Sequence, residues 1–278
     1  MQLVVLISLL VAGALAKPSL FESKIVNGNE ADQGEWPWQA SIVKYQNGNW
    51  YYICGGSLLA KNKVVTAAHC VDSGGENICP NSSNYSFFKH FRDASDYLVI
   101  LGDHSRSRTE GTEQTINIKS IEWHSGWVSS SFLLFPNDIA VMTLEEDAEL
   151  NEHVDTIALG SSSTSTANCF ITGWGVTESG SSSAVLMETS ATVITPSACK
   201  MVWGSRINTG QICLLDSESG SCSGDSGGPL ACKSGSTWYL MGVTSWGHSS
   251  CSESSIVKRY PSVYTRISSY VDWVKERL

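Results

Sequence analysis

The sequence predicts an all-β fold closed by a short C-terminal α-helix. Most of the chain is a succession of short runs rich in β-branched and aromatic residues, at 38–45, 63–67, 97–101, 115–123, 138–144 and 238–246, separated by Gly, Ser, Asn and Asp. Helical spacing occurs only at the end. There SSYVDWVKERL puts Tyr270, Trp273, Val274 and Leu278 on one face and Asp272, Lys275 and Glu276 elsewhere. With 278 residues, 42% of them hydrophobic, the chain can bury a large core in one or two domains without repeats or a cofactor.

Taken in order, residues 1–16 (MQLVVLISLLVAGALA) form an apolar run ending in Ala14-Leu15-Ala16, the small-x-small pattern of a signal-peptide cleavage site, and Lys17 opens a polar stretch. The run carries no Lys or Arg ahead of it. It is shorter than the roughly 20 residues of a spanning helix, and no later segment is long and apolar enough, so a secreted chain with no membrane anchor is expected. Nine cysteines behind such a leader imply an oxidising destination and a disulfide framework, because no CxxC pair or zinc-spaced His/Cys cluster is present. The odd count leaves one thiol over. A net charge of −9 argues against nucleic acid as a partner. Two stretches read as loops: 71–96, rich in Ser, Asn, Gly and charge, and the Ser-rich 160–168, a candidate linker between two β units. The first contains two N-glycosylation sequons, at Asn81 and Asn84.

Three motifs carry groups suited to nucleophilic chemistry. Ser226 lies in Gly224-Asp225-Ser226-Gly227-Gly228-Pro229, where the glycines let the N–H groups of Gly224 and Ser226 point at one developing oxyanion. His69 ends the apolar strand Val65-Thr66-Ala67-Ala68-His69-Cys70 and suits a general base that later acts as acid. Asp138, in Asn137-Asp138-Ile139-Ala140-Val141, can accept the other ring N–H of that histidine. Each has an ordinary alternative when taken alone: a Gly/Ser turn, a core histidine, a turn acid.

Together and in this order, the motifs resemble those of the chymotrypsin-fold serine proteases, whose triad runs His, Asp, Ser along the chain, unlike subtilisins or α/β-hydrolases. The resemblance spans about residues 25–278 and includes Ile25-Val26-Asn27-Gly28, Trp36-Pro37-Trp38-Gln39, Cys54-Gly55-Gly56-Ser57-Leu58, Thr172-Gly173-Trp174-Gly175, Ser245-Trp246-Gly247 and Asp272-Trp273. It implies two packed antiparallel six-stranded β-barrels, the first over about 38–145 and the second over about 165–265, followed by a helix over about 268–278. His69 and Asp138 would come from the first barrel and Ser226 from the second, acting as a catalytic triad that needs no cofactor. The implied partners are protein and peptide substrates and protein protease inhibitors, with the enzyme a monomer.

The resemblance also implies a precursor. Residues 17–24 would be an activation peptide removed by a trypsin-like protease after Lys24, and the freed Ile25 ammonium would pair with the Asp225 carboxylate and order the oxyanion loop. The cysteines would pair as Cys54–Cys70, Cys169–Cys232, Cys199–Cys213 and Cys222–Cys251, leaving Cys79 in the 71–96 loop.

By the same resemblance, Gly220 stands at the floor of the primary pocket, Gly247 and Ser262 on its walls, and Ser245, Trp246 and Gly247 along the substrate strand. Without a carboxylate at Gly220, a buried Lys or Arg side chain would lack its counter-charge, so trypsin-like specificity is not expected. The expectation is chymotrypsin-like cleavage after large apolar or aromatic residues. Alternatives are a broad-specificity, elastase-like or collagenase-like protease, and a non-catalytic binding homologue. The 252–260 loop, with Glu253, Lys258 and Arg259, is long and could bring a charge to the pocket. The segment GDHSRSRTEGTE resembles the family's calcium loop, with Asp103 and Glu113 as carboxylate ligands, Ser105 and Arg108 as carbonyl ligands and Glu110 acting through water.

Overall fold

The computed structural model describes residues 28–72, 94–215 and 219–278. The leader, the Lys24–Ile25 bond, Cys79, Asn81 and Asn84 lie outside the described residues.

The first half closes into a barrel. After the two-residue β1 (Asn29–Glu30) come β2 (Gln39–Gln46), β3 (Asn49–Ala60), β4 (Lys63–Thr66), β5 (Tyr97–Leu101), β6 (Gln114–Trp123) and β7 (Ala140–Leu144). The last six form a closed barrel in the order β2-β3-β4-β7-β6-β5, all pairs antiparallel. Alternation explains which face turns inward: in β5 Tyr97, Val99 and Leu101 are buried, and in β6 Ile116 and Ile118 are buried between exposed neighbours. Strand β7 begins at Ala140, two residues later than the alternation predicts. Asn137 has a positive φ of 56°, and the Ile139 N–H turns back to Asn137 O, which takes Asp138 out of the ladder.

The second half contributes β8 (Ala158–Leu159), β9 (Cys169–Gly173), β10 (Met187–Ala191), β11 (Val193–Ile194), β12 (Gln211–Leu214), β13 (Pro229–Ser234), β14 (Thr237–Trp246) and β15 (Ser262–Arg266). With β1 they make a nine-stranded sheet ordered β1-β10-β9-β13-β14-β15-β12-β11, with β8 beside β14. Six of its strands are of ordinary length; β1, β8 and β11 are two-residue additions. Only Thr192 separates β10, next to one end of the path, from β11 at the other, so the chain passes straight from one side of the sheet to the opposite side and the sheet curls into a second barrel-like body.

The helices depart from the sequence expectation, which places one only at the C-terminus. Short helices also form at α1 (Ala68–Val71), α2 (Pro196–Trp203) and α3 (Ser254–Val257). The signals for α2 are local: the Thr195 hydroxyl accepts the Ala198 N–H at 3.2 Å, Pro196 occupies the first turn, and Gly204 ends the helix at φ 83°. The terminal helix α4 (Val271–Lys275) follows a tight turn at Ile267–Ser269. It buries Tyr270 and Val274 as the periodicity requires, whereas Leu278 lies past its end and is exposed.

The two barrels share an aromatic interface. Trp36 packs edge-on to Trp38 and Trp238, and Phe170 lies against both Trp36 and Trp238. Polar pins cross the same boundary: Thr172 Oγ1 donates to Gln39 Oε1 at 2.6 Å, Trp36 Nε1 to Glu188 Oε2 at 2.7 Å, and Trp174 Nε1 to His104 O at 3.0 Å. Four disulfides join Cys54 to Cys70, Cys169 to Cys232, Cys199 to Cys213, and Cys222 to Cys251.

Candidate active site

The candidate site lies at the seam between the barrels. His69 sits on α1 directly after β4, and the Cys54–Cys70 bridge ties the adjacent residue to β3. Asp138, at the entry to β7, is fully buried. Its Oδ1 accepts the His69 backbone N–H at 2.9 Å, and its Oδ2 meets His69 Nδ1 at 2.7 Å. The second barrel supplies two more donors, Ser245 Oγ to Oδ2 at 2.5 Å and Thr265 Oγ1 to the Asp138 carbonyl at 2.6 Å. Burial works against a charged imidazole, but the Asp138 carboxylate outweighs it and holds His69 above its ordinary value. A ring fixed at Nδ1 presents Nε2 as the base.

Ser226 arrives from the second barrel on a turn held from both sides. Its carbonyl accepts the Gly55 N–H of β3 at 2.8 Å, and the Gly227 N–H reaches Thr244 O at 2.8 Å. Gly227 has φ 76°, and a Cβ there would lie 2.1 Å from Thr66 Oγ1, so only glycine allows the turn to seat against the first barrel. Gly224, at φ 99°, gives the loop its second left-handed bend. Among the described residues no hydrogen bond joins Ser226 Oγ to His69. Such contacts are often long in ligand-free sites and tighten around substrate.

Asp225 points away from Ser226 into the protein. Its carboxylate accepts the Gly175 N–H and the Cys222 N–H, each at 2.9 Å. Burial raises it to about 6, against the pull of those two N–H groups and of the Arg106 guanidinium.

The trypsin family model matches residues 25–274. The chain belongs to the trypsin family. It is similar to proteins named chymotrypsin-like elastase family member 1, with 34% identity to that of Rattus norvegicus over 91% of this chain and 88% of the relative. The Bos taurus protein is likewise 34% identical, over 92% of this chain and 90% of its own length. This trypsin-family protein is a serine endopeptidase, and the family implies protein substrates and protein inhibitors.

The protease has a pocket whose lining includes the predicted Gly220, Gly247 and Ser262 and, among residues that sequence reasoning did not single out, Ile256, Val257 and Tyr260. All three come from α3 and the turn after it. Val257 is buried, and a Cβ added to Gly220 would meet its Cγ1 at 3.2 Å, so a valine methyl stands where a floor side chain would project. The charges of the same loop, Glu253, Lys258 and Arg259, are exposed. Below the pocket, the Tyr264 phenol donates to Ser221 Oγ at 2.9 Å. Trp246, at the end of β14, packs edge-on to Trp203 with ring centroids 5.0 Å apart.

The residues of the calcium-loop resemblance are partly brought together. Asp103, Glu110 and Glu113 each offer an oxygen within 4.8 Å of the others. Burial first, then repulsion from Glu113 and Glu110, raises Asp103 to about 6. Three converging carboxylates, one of them buried, fit a hard cation. Of the two predicted carbonyl ligands, Ser105 O accepts the Arg108 N–H at 3.1 Å, and the Arg108 side chain pairs with Glu110 at 3.0 Å, adding a positive charge to the cluster.

Proposed function

We propose that this chain is a secreted serine endopeptidase, made as a precursor cut between Lys24 and Ile25, that cleaves as a monomer after small to medium-sized apolar residues. Ser226 Oγ attacks the scissile carbonyl carbon while His69 Nε2 takes its proton. The N–H groups of Gly224 and Ser226 hold the oxyanion. The C–N bond then breaks as His69 returns the proton to the leaving amine, and water deprotonated by the same ring releases the acyl group from Ser226.

The observation that carries the preference is Val257 against Gly220. An isopropyl group shortens the pocket and leaves its floor apolar, which suits Ala, Val, Leu or Met and leaves no partner for Lys or Arg. The relatives named elastase support the same reading. The exposed Gly247 favours a second reading, the chymotrypsin-like one, because a glycine wall admits a flat aromatic ring. Secretion is supported by the leader at 1–16 and the four disulfides; among the described residues no helix is long and apolar enough to cross a membrane. Asp103, Glu110 and Glu113 would hold a calcium ion whose part is structural.

The test is to cut the precursor with trypsin, label Ser226 with a fluorophosphonate, and compare kcat/KM on peptides ending in Ala, Val, Leu, Phe, Tyr and Arg. Highest values for Leu, Val or Ala support the proposal; a preference for Phe and Tyr favours the second reading. Loss of labelling in Ser226→Ala ties the label to the nucleophile, whereas an unlabelled wild-type enzyme would sink the catalytic reading itself.

A further inference from the structure

Behind the oxyanion loop lies a side chain that neither the triad nor the pocket uses. Tyr52, in β3 of the first barrel, donates its phenol hydrogen to the carbonyl of Gly224 at 2.7 Å. Its ring is partly buried and packs edge-on against Trp174, with centroids 5.8 Å apart, and a Cβ on Gly224 would lie 3.8 Å from Tyr52 Cε1. The phenol therefore backs onto Gly224, one of the two residues of the loop, with Ser226, whose N–H groups are to face the substrate.

Tyr52 is itself held. The Arg106 guanidinium lies over its ring, 4.4 Å from the centroid, and Arg106 Nη2 donates to Ser183 O at 2.6 Å. Burial, followed by the nearby Asp225 charge, raises the Tyr52 phenol above its ordinary value and keeps it a neutral donor. We infer that Tyr52 is a positioning residue for the oxyanion hole, pinning the Gly224 carbonyl from behind so that the Gly224 N–H stays aimed at the reacting carbonyl, with Arg106 holding Tyr52 in place.

The physical reason lies in the glycine. At φ 99° with no side chain, Gly224 has little intrinsic preference for one peptide orientation over its flip. A flip of the Ser223–Gly224 peptide would turn the Gly224 N–H away and bring the Ser223 carbonyl toward the oxyanion, converting stabilisation into repulsion. The Ser223 carbonyl accepts the Val176 N–H at 2.7 Å, which holds that peptide directly, while Tyr52 holds the next one through the Gly224 carbonyl, so that Gly224 is clamped on both sides and its rotation between the two peptides is limited. The inference rests on the reading of Gly224 N–H as an oxyanion donor.

The test is Tyr52→Phe in the full chain, cut after Lys24 and compared with wild type per titrated active site. The expected result is a fall of about tenfold in kcat with KM changed less than twofold, and an equal loss of affinity for a peptide boronate, since one misaimed donor acts on the tetrahedral state and not on substrate binding. Arg106→Gln should move kcat in the same direction by less, and the double variant should be no worse than Tyr52→Phe alone. A Tyr52→Phe enzyme that keeps kcat per titrated site within twofold, or loses only melting temperature, overturns the assignment. Should Tyr52→Phe fail to fold, Arg106→Gln with unchanged kcat and boronate affinity overturns it equally. An inactive wild-type enzyme would instead defeat the underlying catalytic reading, so the two failures are distinguishable.

Discussion

Ser245 Oγ, on β14 of the second barrel, donates to Asp138 Oδ2 at 2.5 Å, on the same oxygen that holds His69 Nδ1. The acid at the entry to β7 is thus oriented from both halves of the molecule, and the base depends on their docking. Removing the hydroxyl in Ser245→Ala takes one donor from a buried carboxylate, a loss of about 1.5 kcal/mol. We expect kcat to fall roughly tenfold. The more localised charge on Asp138 should move the acid limb of kcat/KM to higher pH. A variant with wild-type kcat and an unmoved limb would refute this coupling.

The acid limb of the wild-type enzyme itself should lie above the ordinary histidine value of about 6.5, because His69 is raised by Asp138. Activity is lost as pH falls through that raised value, when Nε2 becomes protonated. In Asp138→Asn the raising charge is gone, so the limb should move down. The rate should drop by about four orders of magnitude, the loss seen in other chymotrypsin-type proteases when this acid is neutralised. A pH profile of both enzymes on one peptide substrate decides the matter.

If the chain is cut after Lys24 as proposed, Asp225 should link activation to stability. In the uncut chain the Ile25 nitrogen is part of a peptide bond, and the buried carboxylate stands at about 6, above the unfolded value of about 3.9. A raised acid penalises the folded state when ionised, so the precursor should lose about 3 kcal/mol as pH rises from 4 through 6. Cleavage supplies a cation and should cancel this. Calorimetry at pH 4, 5, 6 and 7 should show the melting temperatures of cut and uncut chains diverging with pH; parallel curves would argue against the Ile25–Asp225 pair. Asp103 titrates in both forms and drops out of the difference.

Much of this was legible in the sequence, for reasons that differ by residue. His69, Asp138 and Ser226 sit in short motifs whose local chemistry survives without knowledge of packing, and β5 was readable to the residue because Tyr97, Val99 and Leu101 alternate cleanly. Tyr52 was not, since its partner Gly224 is 172 positions away and nothing local marks the pair. Val257 escaped because α3 spans four residues, too few for a periodicity, within a loop read for its charges. The Thr195-Pro196 cap of α2 was available and lay among β-type runs that masked it.

The acidic cluster offers a test by ligand and by substitution. If Asp103, Glu110 and Glu113 take up calcium, added calcium should raise the melting temperature by several degrees and a chelator should reverse it. Asp103→Asn should abolish the response. It should also leave the calcium-free protein at least as stable near pH 8, since the ionised Asp103 is the buried, repelled member of the set. A calcium response that persists in Asp103→Asn would place the ion elsewhere.

Val257 gives the most direct handle on specificity. The methyl that stands 3.2 Å from the position of a Gly220 Cβ is the nearest obstacle at the pocket floor, and it belongs to a surface-derived helix, so shortening it should not disturb either barrel. Val257→Gly should deepen the pocket and shift preference toward Phe and Tyr, by about tenfold in the ratio of kcat/KM for Phe over Val, the range that one or two methylene-sized contacts command. Val257→Phe should fill the pocket and depress every apolar substrate, while fluorophosphonate labelling of Ser226, which needs no deep pocket, continues. An unchanged Phe-to-Val ratio in Val257→Gly would mean that Ser262 and Gly247, and not α3, set the size limit.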